Sequence, residues 1–144
     1  MIDDRASILL IEDDRVDVMT VQRALRKNQI HNPLHIARTA TDALGMLRGE
    51  GFDKLDPPPA LVLLDLNLPR MSGIEFLQEL RSDPELKDLC VIVLTSSNEP
   101  NDRAAAFRYE VEDYVVKPHS FDEFAAAIRT VLEYALPPAQ GQET

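Results

Sequence analysis

The sequence predicts an α/β fold in which one five-stranded parallel sheet is wound on both faces by helices. Three observations predict it. A length of 144 residues, 44% hydrophobic and 28% charged, suits a single domain with a single core. Short apolar runs alternate with amphipathic stretches five times along the chain, and alternation of this kind produces parallel strands, because parallel neighbours need crossover connections. The clearest runs are apolar at every position and too short for helices, as expected of strands covered on both sides.

Taken in order, Ile8-Leu9-Leu10-Ile11 reads as the first buried strand, and a helix follows from about Asp14 to Lys27 with Val18, Val21 and Leu25 on one stripe. Leu34 to Ala37 is a weaker strand. Thr41 to Arg48 forms a short helix stopped by Gly49 and Gly51. Leu61 to Leu64 is the next buried strand. Ser72 with Glu75 three residues on is a capping box that opens a helix to about Arg81, ended by Pro84. Val91 to Leu94 is the fourth strand, Asn101 to Tyr109 an Ala-rich helix, and Asp113 to Val116 the fifth strand. Ser120 and Glu123 then cap a last helix to about Ala135. The chain divides into a domain over residues 1–136 and a frayed tail over 137–144, too short to be an output domain.

Composition narrows the function. There are 25 acidic residues against 15 basic ones, a net charge of −10, which repels phosphate backbones and anionic headgroups and so argues against nucleic acid or membrane partners. The start, Met1-Ile2-Asp3-Asp4, has neither the basic nor the apolar region of a signal peptide, so a cytoplasmic domain is expected. The lone Cys90 makes no internal disulfide and reads as a small hydrophobe. His31, His35 and His119 show no ligand spacing.

In a doubly wound sheet, sites form at the carboxyl ends of the strands. Glu12-Asp13-Asp14 follow the first strand, Asp65 the third, Thr95 the fourth and Lys117 the fifth. Carboxylates gathered at one edge repel one another unless a cation joins them, and hard oxygen ligands with room for water suit Mg²⁺ better than zinc. No Gly-rich phosphate loop, serine elbow or His-paired cysteine occurs in the sequence. A metal-neutralised aspartate can act as a nucleophile towards phosphorus, with the lysine as a point charge and the threonine as a hydrogen-bond donor. This chemistry describes a phosphoacceptor.

Four stretches carry a family likeness: Ile8-Leu9-Leu10-Ile11-Glu12-Asp13-Asp14, Leu64-Asp65-Leu66-Asn67-Leu68-Pro69-Arg70-Met71-Ser72-Gly73, Val93-Leu94-Thr95-Ser96-Ser97 and Asp113-Tyr114-Val115-Val116-Lys117-Pro118. In this order, over roughly residues 6 to 136, they resemble the receiver domain of bacterial two-component response regulators. The resemblance implies a flavodoxin-like (βα)5 fold with strand order 2-1-3-4-5. It implies Asp65 as both the phosphorylated aspartate and a Mg²⁺ ligand, Asp13 as a direct Mg²⁺ ligand, Glu12 as one acting through water, and the Asn67 carbonyl as a further ligand. Thr95 and Lys117 become the switch hydroxyl and the phosphate-binding lysine. Tyr114 becomes the aromatic switch that turns inward, and Lys117–Pro118 a cis bond. The Pro-rich loop before the third strand and the Leu94-Thr95-Ser96-Ser97 stretch are similar to those of single-domain regulators paired with phytochrome-type sensor histidine kinases. Glu12 in place of the commoner Asp and His119 after the Lys-Pro pair depart from the pattern.

The expected function is therefore a phosphoprotein of a phosphorelay that catalyses only its own phosphorylation and dephosphorylation. Its signal leaves through protein contact. Phe121, Phe124, Ile128, Val131, Leu132 and Tyr134 give the last helix much apolar surface, which makes a homodimer through the fourth-helix, fifth-strand and fifth-helix face a candidate assembly. Two other classes compete. An aspartate-nucleophile phosphatase would need an acid two residues after Asp65, where Asn67 stands and can do no acid–base work. A docking module of the same shape would not require Asp13, Asp65, Thr95 and Lys117. Asp14 reads as a helix N-cap rather than a ligand.

Overall fold

The computed structural model of the chain describes residues 2–139. Five parallel strands, β1 (Ile8–Ile11), β2 (Leu34–Ala37), β3 (Leu61–Leu64), β4 (Val91–Thr95) and β5 (Asp113–Val116), form one sheet in the order β2-β1-β3-β4-β5. Five helices alternate with them: α1 (Arg15–Lys27), α2 (Ala40–Arg48), α3 (Gly73–Ser82), α4 (Pro100–Arg108) and α5 (Phe121–Ala135). The fold class and strand order are those expected.

The all-apolar runs explain the architecture. β1, β3 and β4 are buried along their whole length, so both faces of the sheet need a cover. Alternate side chains serve the two covers. Leu9, Ile11, Val62, Leu64 and Val93 join the core with α2, α3 and α4. Ile8, Leu10, Leu61, Leu63, Ile92 and Leu94 join the core with α1 and α5.

Helix ends follow local chemistry. Asp14 caps α1 by accepting the N–H groups of Val16 and Asp17 at 2.8 and 3.2 Å. Thr39 caps α2, which starts one residue earlier than the sequence suggests and ends at Gly49 in the left-handed conformation (φ 76°). Ser72 and Glu75 form the reciprocal capping box of α3. Pro100 stands at the first helical position of α4, where its missing N–H costs nothing.

Three expectations need correction. The Lys117–Pro118 bond is trans; among the described residues the cis bond is Asp56–Pro57. Trans is the lower-energy isomer of an X-Pro bond, and Lys117 reaches its partners from it. The tail is held at its start: Pro138 pairs with Ile2 in an antiparallel bridge, and the Asp3 N–H donates to the Pro137 carbonyl at 2.8 Å. The rest of the expected tail, 140–144, lies outside the described residues. The apolar stripe of α5 is mostly core, since Phe124, Ile128, Val131 and Leu132 pack against the sheet. Tyr134 is the exposed member, and Phe121 lies under the Arg23 guanidinium, 3.9 Å from its ring centre.

Candidate functional site

Strand register builds the site. Ile11 is level with Leu64 on the adjacent strand, so Glu12 and Asp65 leave β1 and β3 side by side. The Asp65 N–H donates to the Ile11 carbonyl at 3.1 Å. Leu64 is level with Val93, which carries β4 two residues further to Thr95. Thr95 is level with Val116, and its carbonyl accepts the Lys117 N–H at 2.8 Å. Residues from four strands or their ends thus meet at one edge.

The turn after Asp65 is fixed by α3. A Cβ on Gly73 would lie 2.7 Å from the Asp65 carbonyl oxygen and 2.7 Å from Leu66 Cα, so the helix start can approach only because this residue is glycine. The Asn67 N–H donates to Asp65 Oδ1 at 3.2 Å, which leaves Oδ2 facing the cluster.

Glu12, Asp13 and Asp65 each bring a carboxylate oxygen within 4.8 Å of the others. Glu12 and Asp65 are buried and Asp13 is exposed. Lys117 Nζ donates to Glu12 Oε1 at 2.6 Å and to Asp17 Oδ2 at 3.0 Å, and lies 4.0 Å from Asp65 Oδ2. The second oxygen of Glu12 accepts the Asp14 N–H at 3.3 Å. Burial pushes the Glu12 carboxyl above its ordinary range, with Lys117 pulling it back and Asp65 adding to the rise. Burial also opposes the charge on Lys117, but Glu12, Asp65 and Asp17 outweigh it and hold the ammonium above its usual value.

These residues fit a hard divalent cation. Four carboxylates face one ammonium, so the cluster carries negative charge that a metal can neutralise. The exposed side at Asp13 leaves room for the waters such an ion retains.

Thr95 is fully buried, and its hydroxyl oxygen accepts the Ser97 N–H at 3.3 Å. Tyr114 already lies inward, its hydroxyl donating to the Ser97 carbonyl at 3.0 Å, and burial lifts its phenol above the usual value. Arg103 of α4 stands over the Tyr114 ring, 5.3 Å from its centre. Glu12, Asp13, Asp65, Asn67, Thr95 and Lys117 thus lie at or just after the carboxyl ends of β1, β3, β4 and β5, and Tyr114 reaches the loop after β4 from within β5 through its hydroxyl. Asp17 was not among the residues singled out for the site. An acid in the first turn of a helix reads as a complement to the helix dipole, and nothing in the sequence marks this one as a partner of Lys117.

The comparisons decide the family. A match to the response regulator receiver domain spans residues 8–129. The chain belongs to the response regulator receiver family. Response regulator Rcp1 of Synechocystis is 34% identical over 129 residues, covering 90% of this chain and 88% of that protein. The probable methanogenesis regulatory protein FilR2 of Methanothrix harundinacea is 33% identical over 130 residues, covering 90% and 83%. Among solved structures, the phosphorylated cyanobacterial phytochrome response regulator RcpA superposes with a TM-score of 0.83 at 32% identity, covering 90% of this chain and 93% of that one. The Mn²⁺-bound form of Rcp1 gives 0.82 at 34%, covering 91% and 94%. Receiver domains are signalling modules that accept a phosphoryl group with the help of a divalent metal, and this chain is homologous to phytochrome-associated regulators. No helix among the described residues is long and apolar enough to cross a membrane.

Proposed function

We propose that residues 1–136 act in the cytoplasm as a Mg²⁺-dependent phosphoacceptor module in which Asp65 receives the phosphoryl group of a phytochrome-type sensor histidine kinase. The observation that carries this reading is the approach of the Glu12, Asp13 and Asp65 carboxylates within 4.8 Å, with Lys117 Nζ 4.0 Å from Asp65. Asp65 Oδ2 attacks phosphorus, and the bond to the donor's imidazole nitrogen breaks with its electron pair leaving on that nitrogen. Asp13, Asp65 and the Asn67 carbonyl would hold the metal directly. Glu12, with both oxygens engaged, would act through water. When bound, Mg²⁺ supplies positive charge that screens the incoming oxygens from the carboxylates. Lys117 and the Thr95 hydroxyl take the remaining phosphoryl oxygens. Movement of Thr95 changes the surface around Tyr114 and α4.

The test is intact mass after incubation with a small acyl phosphate and Mg²⁺. One added phosphate on the wild type, and none on Asp65→Asn or with chelator, is expected. Phosphate on the Asn variant would sink the assignment. A homodimer through the α4-β5-α5 face would rest on Phe107 and Tyr134, which remain exposed. Sedimentation showing monomer before and after phosphorylation would remove it.

A further inference from the structure

We infer that Asp17 is a positioning residue for Lys117: with Glu12 it holds the ammonium away from Asp65, so that no lysine hydrogen bond occupies the nucleophilic oxygen until a phosphoryl group arrives. This rests on Asp65 being the acceptor.

The distances carry the argument. Lys117 Nζ is 2.6 Å from Glu12, 3.0 Å from Asp17 and 4.0 Å from Asp65. A direct ammonium–carboxylate hydrogen bond closes to about 2.8 Å, so Lys117 stops short of Asp65. Nothing in a lysine enforces such a gap. Its stem is long and flexible and its three donors rotate freely. Glu12 alone would not enforce it either. Glu12 and Asp65 stand side by side at the ends of adjacent strands, so an ammonium pivoting about Glu12 could swing onto Asp65.

Asp17 supplies a second anchor from a different element. Its backbone is fixed by the α1 cap, where its N–H donates to Asp14 at 3.2 Å, and its carboxylate approaches Lys117 from the α1 side. Two anchors from β1 and α1 remove the pivot. The space left between Nζ and Asp65 Oδ2 is where an oxygen of a phosphoryl group attached to Asp65 can accept from the same ammonium without rearrangement of the lysine.

The consequence concerns the acceptor step. A carboxylate clamped by an ammonium has an occupied lone pair and a blocked approach, whereas attack needs that oxygen free to come within about 3–3.5 Å of phosphorus. An acid that merely complements the helix dipole would stabilise α1 without touching Lys117, so the two roles separate experimentally.

The variants are Asp17→Asn, Asp17→Glu, Lys117→Met, the Asp17→Asn/Lys117→Met pair and Asp65→Asn. Each is phosphorylated with a small acyl phosphate at saturating Mg²⁺ and followed by intact mass. Asp17→Asn should slow phosphorylation on the order of tenfold, the scale for loss of a group that orients a reacting one. Asp17→Glu should recover most of the rate. In the Lys117→Met background, Asp17→Asn should change nothing further. A crystal structure of Asp17→Asn should show Nζ closing to about 2.8 Å from Asp65.

A wild-type rate in Asp17→Asn overturns the inference, as does an equal loss with Lys117 already removed or a crystal structure in which the gap to Asp65 is unchanged. Should Asp17→Asn melt far below the wild type, Asp17→Ser replaces it in the same comparisons. Phosphate on Asp65→Asn instead indicts the choice of acceptor, and so is distinguishable from failure of the role given to Asp17.

Discussion

Helices α3 and α4 lie on the same face of the sheet and have 10 and 9 residues, yet they are held in very different ways. α3 begins in a reciprocal capping box and buries Phe76, Leu77 and Leu80 completely. Its first residue presses on the Asp65 turn, and its C-terminal Asp83 accepts from Arg48 of α2 at 3.0 Å. α4 has no side-chain cap at Glu99, and Ala106 is its one buried residue. What ties its start is a polar contact, the Ser97 hydroxyl donating to Asp102 at 2.5 Å. The difference separates two demands. The carboxylate proposed as the acceptor needs a rigid support, whereas the element lying over Thr95 and Tyr114 can shift at small cost because little apolar area would be exposed.

The largest effect should come from removing the anchor of α3. Phe76→Ala deletes a fully buried ring and should cost about 3–5 kcal/mol in denaturant unfolding. Phe107→Ala on α4 removes a ring that is 41% exposed and should change stability by no more than about 0.5 kcal/mol. Similar losses at the two sites would break the contrast. Amide exchange sharpens it, since α4 amides should open through local fluctuations while those of α3 exchange near the global limit.

The contrast was only half legible in the sequence. Buried strands declare themselves, because runs such as Leu61 to Leu64 leave no solvent face, and β2, β3 and β5 have the bounds expected. The α3 cap was equally plain in Ser72 and Glu75. The looseness of α4 was not, because Ala104 to Ala106 favour a helix without saying how little they bury. In α5 the error ran the other way. An apolar stripe records that a face is covered, not what covers it, and the sheet covers Phe124 and Ile128. At the site, strand-end residues were readable because register follows from strand order. Asp17 was not, since only the direction of a first-turn side chain brings it to Lys117.

Helix caps should give the middle-sized effect. Ser72→Ala removes the acceptor of the Glu75 N–H and should cost about 1 kcal/mol. Glu99→Ser supplies α4 with the side chain it lacks and should stabilise it by a similar amount. The measurement is chemical unfolding of both variants. Slower exchange confined to α4 amides in Glu99→Ser would confirm that the missing cap contributes to the softness. No gain from Glu99→Ser would place that softness in the missing apolar contacts alone.

The smallest effect is the pH dependence of the α3 terminus. The Asp83 carboxyl is held below its ordinary value of 3.8, first by the Glu85 N–H it accepts and then by the Arg48 guanidinium. Between that lowered value and 3.8 the unfolded chain binds the proton more readily than the folded one, so stability rises with pH across this window. The contribution is complete above the ordinary value and is lost as pH falls through the folded one. Asp83→Asn keeps an oxygen that can accept from Glu85 but removes the charge facing Arg48. It should therefore flatten the acid limb of the stability curve and leave neutral stability nearly unchanged, because a solvent-screened ion pair is worth little. Added salt, which screens Arg48 but not the Glu85 hydrogen bond, should flatten the wild-type limb only in part and leave the variant unchanged. An acid limb identical in both proteins would mean that α3 owes its fixed end to Phe76, Leu77 and Leu80 alone, and the contrast with α4 would then be one of buried apolar surface rather than of charge.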